Sequence, residues 1–160
     1  MIGVLGLGSP HGDDQIGWWI VERLKSCNLG PNVGVEKISA PGVSLMSLFR
    51  HYEQVIIVDA CEMGCEPGTY RIIDATHFSD LILSDRFSTH SLGVTESVQL
   101  AQTLSLPLPR ISLFLVQMEQ TELMAPLSAS IERRGTEMVE SLLRQLKQFH
   151  GCNKTENNGV

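Results

Sequence analysis

The sequence predicts a single three-layer α/β/α domain, in which a mainly parallel, twisted sheet of about five strands, one of them antiparallel, lies between helices on both faces. Short apolar runs alternate with segments of 3.6-residue apolar periodicity, which is typical of βα units. The run Gln54–Ala60 contains consecutive β-branched residues, as expected of a central strand covered on both faces. Stretches rich in glycine and proline separate the runs and indicate the turns.

The first βα unit occupies the start of the chain. Ile2–Leu7 predicts a buried strand, Gly8–Gly12 a loop, and a helix is expected to begin at Asp13 or Asp14. As the N-cap, Asp13 would accept the free N–H groups of the first turn, and Asp14 would then lie at the positive end of the helix dipole. The helix face expected to pack on the sheet consists of Ile16, Trp19, Ile20 and Leu24.

The remaining elements follow in alternation. Four further strands are predicted, over Gly34–Ala40, Gln54–Ala60, Thr69–Asp74 and Arg110–Met118. Three further helices are predicted. The first contains Leu45, Leu48, Phe49 and Tyr52, the second spans Leu92–Leu104 and the third spans Ser128–Phe149. The loop between Gln54–Ala60 and Thr69–Asp74 is too short for a helical crossover, so these two strands are expected to form an antiparallel hairpin. The domain is predicted to span residues 1–150, followed by a disordered tail over 151–160.

Composition excludes several classes of function. The net charge of −6 argues against a nucleic-acid-binding protein, since neutralising phosphates requires clustered Lys and Arg. No signal peptide is evident, and no apolar stretch approaches the length that spans a bilayer. We therefore expect a cytoplasmic protein that binds neither nucleic acid nor membrane, and we favour a monomer.

The spacing of the cysteines does not support a zinc site, and the spacing of the glycines does not support a dinucleotide-binding site. Cys61 and Cys65 form C-x3-C without a second pair to complete a zinc site, so the thiols are interpreted as buried or incidental. Gly6 and Gly8 supply two glycines of a dinucleotide fingerprint, but His11 stands where the third is required. Two acids at the helix start would also repel a pyrophosphate. A nucleotide-binding module is rejected.

Three distant segments carry candidate functional residues. Asp59 directly follows four buried aliphatic residues, and Asp13 and Asp14 follow the first strand, so these acids are expected at the carboxyl edge of the sheet, where α/β proteins bind ligands. His90 lies in a polar loop before a helix. Carboxylate oxygens and one imidazole nitrogen suit a borderline divalent metal such as nickel or zinc, and such a set leaves coordination positions open for a substrate. Each residue also has a structural alternative, as a helix cap, a loop hydrogen-bond partner or a solvated histidine.

The sequence resembles the hydrogenase maturation endopeptidases, which process the large subunits of nickel–iron hydrogenases. The resemblance rests on GLGSPHGDDQIG (6–17), VIIVDACEMGCEPGTY (55–70) and STHSLGV (88–94), supported by APG (40–42) and APLSASI (125–131). It implies a mainly parallel sheet between helix layers. It also implies an aspartic-type peptidase that removes a C-terminal extension from the nickel-loaded large-subunit precursor, with no permanent cofactor because the substrate supplies the nickel.

The resemblance assigns the catalytic and metal-contacting roles to Asp14, Asp59 and His90. Nickel would either polarise the scissile carbonyl or only position the substrate, with a carboxylate as general base. Asp13, as the N-cap of the helix, would orient the side chain of Asp14. Ser9-Pro10-His11 replaces a run in which family members commonly carry Asn. His11 is therefore an additional imidazole beside the site, either a further ligand or, the interpretation we favour, a surface loop residue. The alternative function is a nickel-carrying chaperone for hydrogenase assembly.

Overall fold

The computed structural model describes residues 1–75 and 91–152. The strands in this part of the chain are β1 (Ile2–Leu7), β2 (Val33–Ile38), β3 (Gln54–Cys61), β4 (Tyr70–Asp74) and β5 (Arg110–Gln117). The helices are α1 (Ile16–Lys25), α2 (Val43–Phe49), α3 (Ser91–Thr103) and α4 (Ala129–Cys152), and a 3-10 turn over Gly12–Gln15 precedes α1. The segment predicted as short and irregular, 76–84, lies outside the described residues, as do 153–160 of the predicted tail.

The five strands form one sheet in the order β2-β1-β3-β5-β4. The pairs β1–β2, β1–β3 and β3–β5 are parallel, and β4 is antiparallel to its neighbour. The apolar strand β3 therefore occupies the centre, where both of its edges are paired and both of its faces are covered. The predicted fold class is confirmed.

The predicted hairpin between β3 and β4 is wrong. β4 pairs instead with β5, with Tyr70 opposite Val116 and Asp74 opposite Ser112. The loop after β3 crosses the end of β5, where the Gly68 N–H donates to the Gln117 carbonyl at 2.9 Å and the Gln117 N–H donates to the Thr69 carbonyl at 2.7 Å. Because β1 and β5 already pair with both edges of β3, the antiparallel strand can join only at the outer edge of β5.

The two faces of the sheet contact different helices, following the alternation of side chains along each strand. On β3, Ile56 and Val58 belong to a core shared with α1 and α4, whereas Val55 and Ile57 belong to a core shared with α2 and α3. This confirms the predicted apolar face of α1, since Ile16, Ile20 and Leu24 are buried and Trp19 packs beside them. The sheet thus lies between two separate hydrophobic layers.

Two glycines let α1 approach the sheet closely. A Cβ on Gly6 would lie 2.2 Å from the Gly17 carbonyl oxygen, and a Cβ on Gly17 would lie 2.1 Å from the Leu7 carbonyl oxygen and 2.7 Å from that of Val58. The first turn of α1 therefore sits directly on the ends of β1 and β3. The preceding 3-10 turn is held at the carboxyl edge of the sheet as a result.

The longest described helix, α4, covers one face of the sheet and continues to Cys152, three residues beyond its predicted end at Phe149. Within the described ranges, no helix is long and apolar enough to cross a membrane.

Candidate active site

Asp14 lies on the 3-10 turn at the carboxyl end of β1. Its side chain is buried, with 6% of the residue exposed, and its N–H donates to the His11 carbonyl at 3.1 Å. The turn folds back over β1, because a Cβ on Gly8 would lie only 2.6 Å from the Asp14 carbonyl oxygen. Glycine at this position therefore permits the close backbone approach that places Asp14 above the sheet edge.

Asp59 lies near the end of the central strand, opposite Leu115 of β5. The residue is 2% exposed and takes part in a polar or electrostatic interaction within the protein, as expected of a carboxylate that leaves water. The 3-10 turn that carries Asp14 is in contact with β3. The two predicted acids therefore lie on neighbouring segments at one edge of the sheet.

The third predicted residue, His90, lies outside the described residues. The helix that follows it, α3, packs against the loop after β2, where Ser97 Oγ donates to the Gly42 carbonyl at 2.9 Å. Among the residues that the structure describes, no three His, Cys, Asp or Glu side chains are grouped to hold a metal ion. The roles assigned to Asp14, Asp59 and His90 remain predictions.

Asp13 is not an N-cap, contrary to the prediction. His11 occupies the N-cap of the 3-10 turn and Gln15 that of α1, and neither makes a side-chain capping bond. The fully buried Asp13 carboxylate instead accepts hydrogen bonds from the loop between β5 and α4, whose donors are the N–H groups of Glu119 (2.7 Å), Gln120 (3.0 Å) and Ser128 (2.7 Å) and the Ser128 hydroxyl (2.9 Å). Asp13 therefore attaches this loop to the turn that carries Asp14.

The additional imidazole also holds this loop. His11 Nδ1 accepts a hydrogen bond from the Met124 N–H at 3.1 Å, which ties the imidazole to the loop between β5 and α4. His11 is partly buried rather than fully exposed. No local signal in the sequence predicts this contact, because Met124 follows His11 by 113 residues.

Comparison with known proteins identifies the family. The sequence model of the hydrogenase maturation proteases matches residues 19–145. The chain belongs to this family. Among curated proteins, it is 24% identical over 149 residues to the hydrogenase expression/formation protein HupD of Rhizobium leguminosarum bv. viciae, covering 91% of this chain and 74% of HupD.

Solved structures agree with the family and the fold. The hydrogenase maturating endopeptidase HybD from E. coli has a TM-score of 0.80 and 25% identity, with 92% of each chain covered. The [NiFe] hydrogenase maturation protease HycI from Thermococcus kodakarensis has a TM-score of 0.72 and 26% identity, with 91% of this chain and 92% of that chain covered. The resemblance inferred from the sequence is confirmed.

A buried glutamine shapes the loop after β3 in this maturation protease. Gln117, 3% exposed at the end of β5, accepts a hydrogen bond from the Met63 N–H at 2.6 Å and donates to the Glu62 carboxylate at 3.0 Å. The loop therefore has a defined position beside Asp59. Gln117 is not among the residues predicted from the sequence, although a polar residue at the end of an apolar strand is typical of a buried hydrogen-bonding group.

Cys61 has a buried thiol whose ionisation is disfavoured. The residue is fully buried, and burial, followed by the negative charge of Asp59, raises the pKa of its thiol to about 12. The thiol therefore stays protonated at neutral pH, and only a thiolate attacks carbonyl carbons or binds metals well. This agrees with the interpretation of Cys61 as a buried structural cysteine.

Proposed function

We propose that this protease removes a C-terminal extension from the nickel-loaded large-subunit precursor of a [NiFe] hydrogenase, and that it recognises the nickel of its substrate through Asp14, Asp59 and His90. The observation that carries the proposal is the position of Asp14 and Asp59 on contacting segments at the carboxyl edge of the sheet, in a chain of the maturation protease family. The related HupD is named a hydrogenase expression/formation protein, and HycI a [NiFe] hydrogenase protease, which supports this choice of client.

Nickel arrives in this scheme as part of the substrate. Carboxylate oxygens and an imidazole nitrogen are suitable donors for a borderline divalent metal, and three protein donors leave positions for the groups by which the client holds it. Recognition would then depend on nickel insertion, because an empty precursor offers no cation to the two carboxylates. The protease itself needs no permanent cofactor, and we place it in the cytoplasm as a monomer.

The proposed reaction is hydrolysis of one peptide bond. A carboxylate, Asp14 or Asp59, takes a proton from water, and the water oxygen attacks the scissile carbonyl carbon. The carbon–nitrogen bond then breaks and the proton passes to the leaving amine, giving a new carboxyl terminus on the subunit and a released peptide. Nickel either polarises the carbonyl or only positions the chain.

Processing of purified precursor tests the proposal. We expect Asp14→Asn, Asp59→Asn and His90→Ala each to lower the cleavage rate by about 100-fold or more, since each removes a base or a ligand. Mass spectrometry of nickel-loaded and nickel-free precursor measures the product. The control is Glu66→Gln, which neutralises an exposed acid of the loop after β3 and should leave the rate unchanged. Full activity in any of the three variants would exclude that residue from the site.

The nickel content of the purified protein, together with the length of the precursor, distinguishes a protease from a nickel chaperone. A chaperone retains nickel after purification and leaves the precursor at full length. We expect the isolated protein to be largely free of nickel by elemental analysis and to shorten its precursor.

A further inference from the structure

The loop between β5 and α4 exposes two adjacent apolar side chains. Leu123 is 81% exposed and Met124 is 68% exposed, and we call this pair the apolar tip. A turn closes the loop here, since the Ala125 N–H donates to the Glu122 carbonyl at 3.1 Å. Scattered exposed apolar residues are ordinary, but the tips of turns usually carry Gly, Pro, Asn, Asp or Ser. Two large apolar residues are therefore unusual at this position.

The backbone of the apolar tip is also unusual. Met124 has φ of 56°, in the left-handed region that glycine and asparagine occupy most readily. A glycine would form the same turn with less strain and without an exposed apolar side chain. Strained positions of this kind persist where the surrounding structure holds them, and they concentrate at functional sites. The folding of the loop thus does not require the methionine side chain.

The apolar tip is attached directly to the turn that carries Asp14. The Met124 N–H binds His11 Nδ1 at 3.1 Å, and the Ala125 carbonyl accepts from the Gly12 N–H at 3.0 Å and from Gln15 Nε2 at 2.9 Å. Asp13 binds both ends of the same loop, as described above. The position of the tip relative to the candidate site is therefore set by hydrogen bonds from residues on both sides of Asp14.

We propose that the apolar tip is a docking element for the client protein, and that Leu123 and Met124 insert into an apolar recess of the large-subunit precursor beside the segment presented to Asp14 and Asp59. This inference rests on the proposed function. A folded client must bring its extension to two buried carboxylates, so its body covers the adjoining rim, where the tip stands. Apolar anchors bordered by polar residues, here 119–122, are the usual composition of a binding hot spot and its rim.

A double substitution tests the docking element. We expect L123S/M124S to raise both the KM and the Kd for nickel-loaded precursor by about tenfold or more, since truncated anchors of a binding hot spot cost this much, and to leave kcat within about twofold. The matched control is L104S/L106S, in the connector before β5 at the opposite edge of the sheet, where Leu104 is 54% and Leu106 43% exposed. The control should bind and cleave as the wild type does.

A second variant separates the side chain from the backbone. Met124→Gly removes the anchor but suits the positive φ, so its Tm should equal or exceed that of the wild type while its affinity for the precursor falls by about threefold or more. A purely structural role for Met124 predicts a change in Tm without a change in affinity.

The outcomes distinguish this inference from the proposed function. If the wild type cleaves the precursor and L123S/M124S or Met124→Gly retains wild-type Kd and KM, the docking proposal is overturned and the proteolytic function stands. If the wild type binds the precursor through the tip but leaves it intact, the docking proposal stands and the proteolytic function on this client fails.

Discussion

At the scale of single residues, adjacent acids at the end of β1 serve different purposes. Both lie on the 3-10 turn that contacts the central strand, but Asp13 is fully buried and accepts four hydrogen bonds from the loop between β5 and α4, whereas 6% of Asp14 is exposed. Two carboxylates in sequence therefore need not act as a pair. The first organises the rim of the candidate site, and only the second belongs to the site that we propose.

Asp13→Ala should lower the free energy of unfolding by about 3 kcal/mol, because it leaves buried N–H donors of the loop without their charged acceptor. Urea unfolding followed by circular dichroism measures the change. Glu140→Ala, at an exposed position of α4, is the control and should change stability by less than about 0.5 kcal/mol. A loss equal to that of the control would show that the Asp13 network contributes nothing to stability.

At the scale of elements, the approach of α1 to the sheet decides where the 3-10 turn lies. Gly6 and Gly17 face each other across this contact, and the backbone carbonyls of Leu7 and Val58 leave no room for a side chain on Gly17. Carbonyl oxygens of two strands cannot move aside as a flexible side chain can. The position of the turn, and therefore of Asp14, depends on the absence of a Cβ at Gly6 and Gly17.

Gly17→Ala should destabilise the protein by about 2–3 kcal/mol, since the overlap with backbone outweighs the gain of about 1 kcal/mol in helix propensity. Thermal unfolding measures the effect. Gly135→Ala is the comparison, because a Cβ there meets the ring of Trp19, a partly exposed side chain that can shift toward solvent. We expect a smaller loss for Gly135→Ala, and the reverse order would contradict this account of the α1 contact.

At the scale of the whole molecule, the sheet separates two hydrophobic clusters. Leu142 of α4 belongs to the cluster shared with α1, and Ile111 of β5 belongs to the cluster shared with α2 and α3. Side chains on opposite faces of a strand have few common neighbours, so the two layers should respond to substitution independently.

Leu142→Ala should cost about 2–5 kcal/mol and Ile111→Val about 0.5–1.5 kcal/mol. The double variant should lose the sum of the two values to within about 0.5 kcal/mol, as independent sites do. Denaturant unfolding of the wild type, the two single variants and the double variant measures the coupling energy of this double-mutant cycle. A coupling energy above about 1 kcal/mol would mean that the layers relax together across the sheet.

The sequence by itself determined the elements with local signals and the family to which the chain belongs. The β-branched run predicted the central strand, and the 3.6-residue periodicity predicted α1, α3 and α4, because side-chain spacing reports directly on which face is buried. The motifs around Asp14 and Asp59 also predicted that both acids lie at the carboxyl ends of strands, and the structure has them at that edge, with Asp59 among the last residues of β3 and Asp14 on the turn after β1.

Only the tertiary structure decided which strands pair and which groups within the chain form hydrogen bonds. β4 pairs with β5 rather than with the preceding β3, and Asp13 binds donors 106 to 115 residues further along the chain. These choices carry no local signal, since strand pairing depends on which edges are already occupied and a carboxylate accepts hydrogen bonds from whichever donors the fold brings near. The apolar tip also carries no local signal in the sequence, because its exposure and the hydrogen bond from Met124 to His11 exist only once the loop has closed over the 3-10 turn.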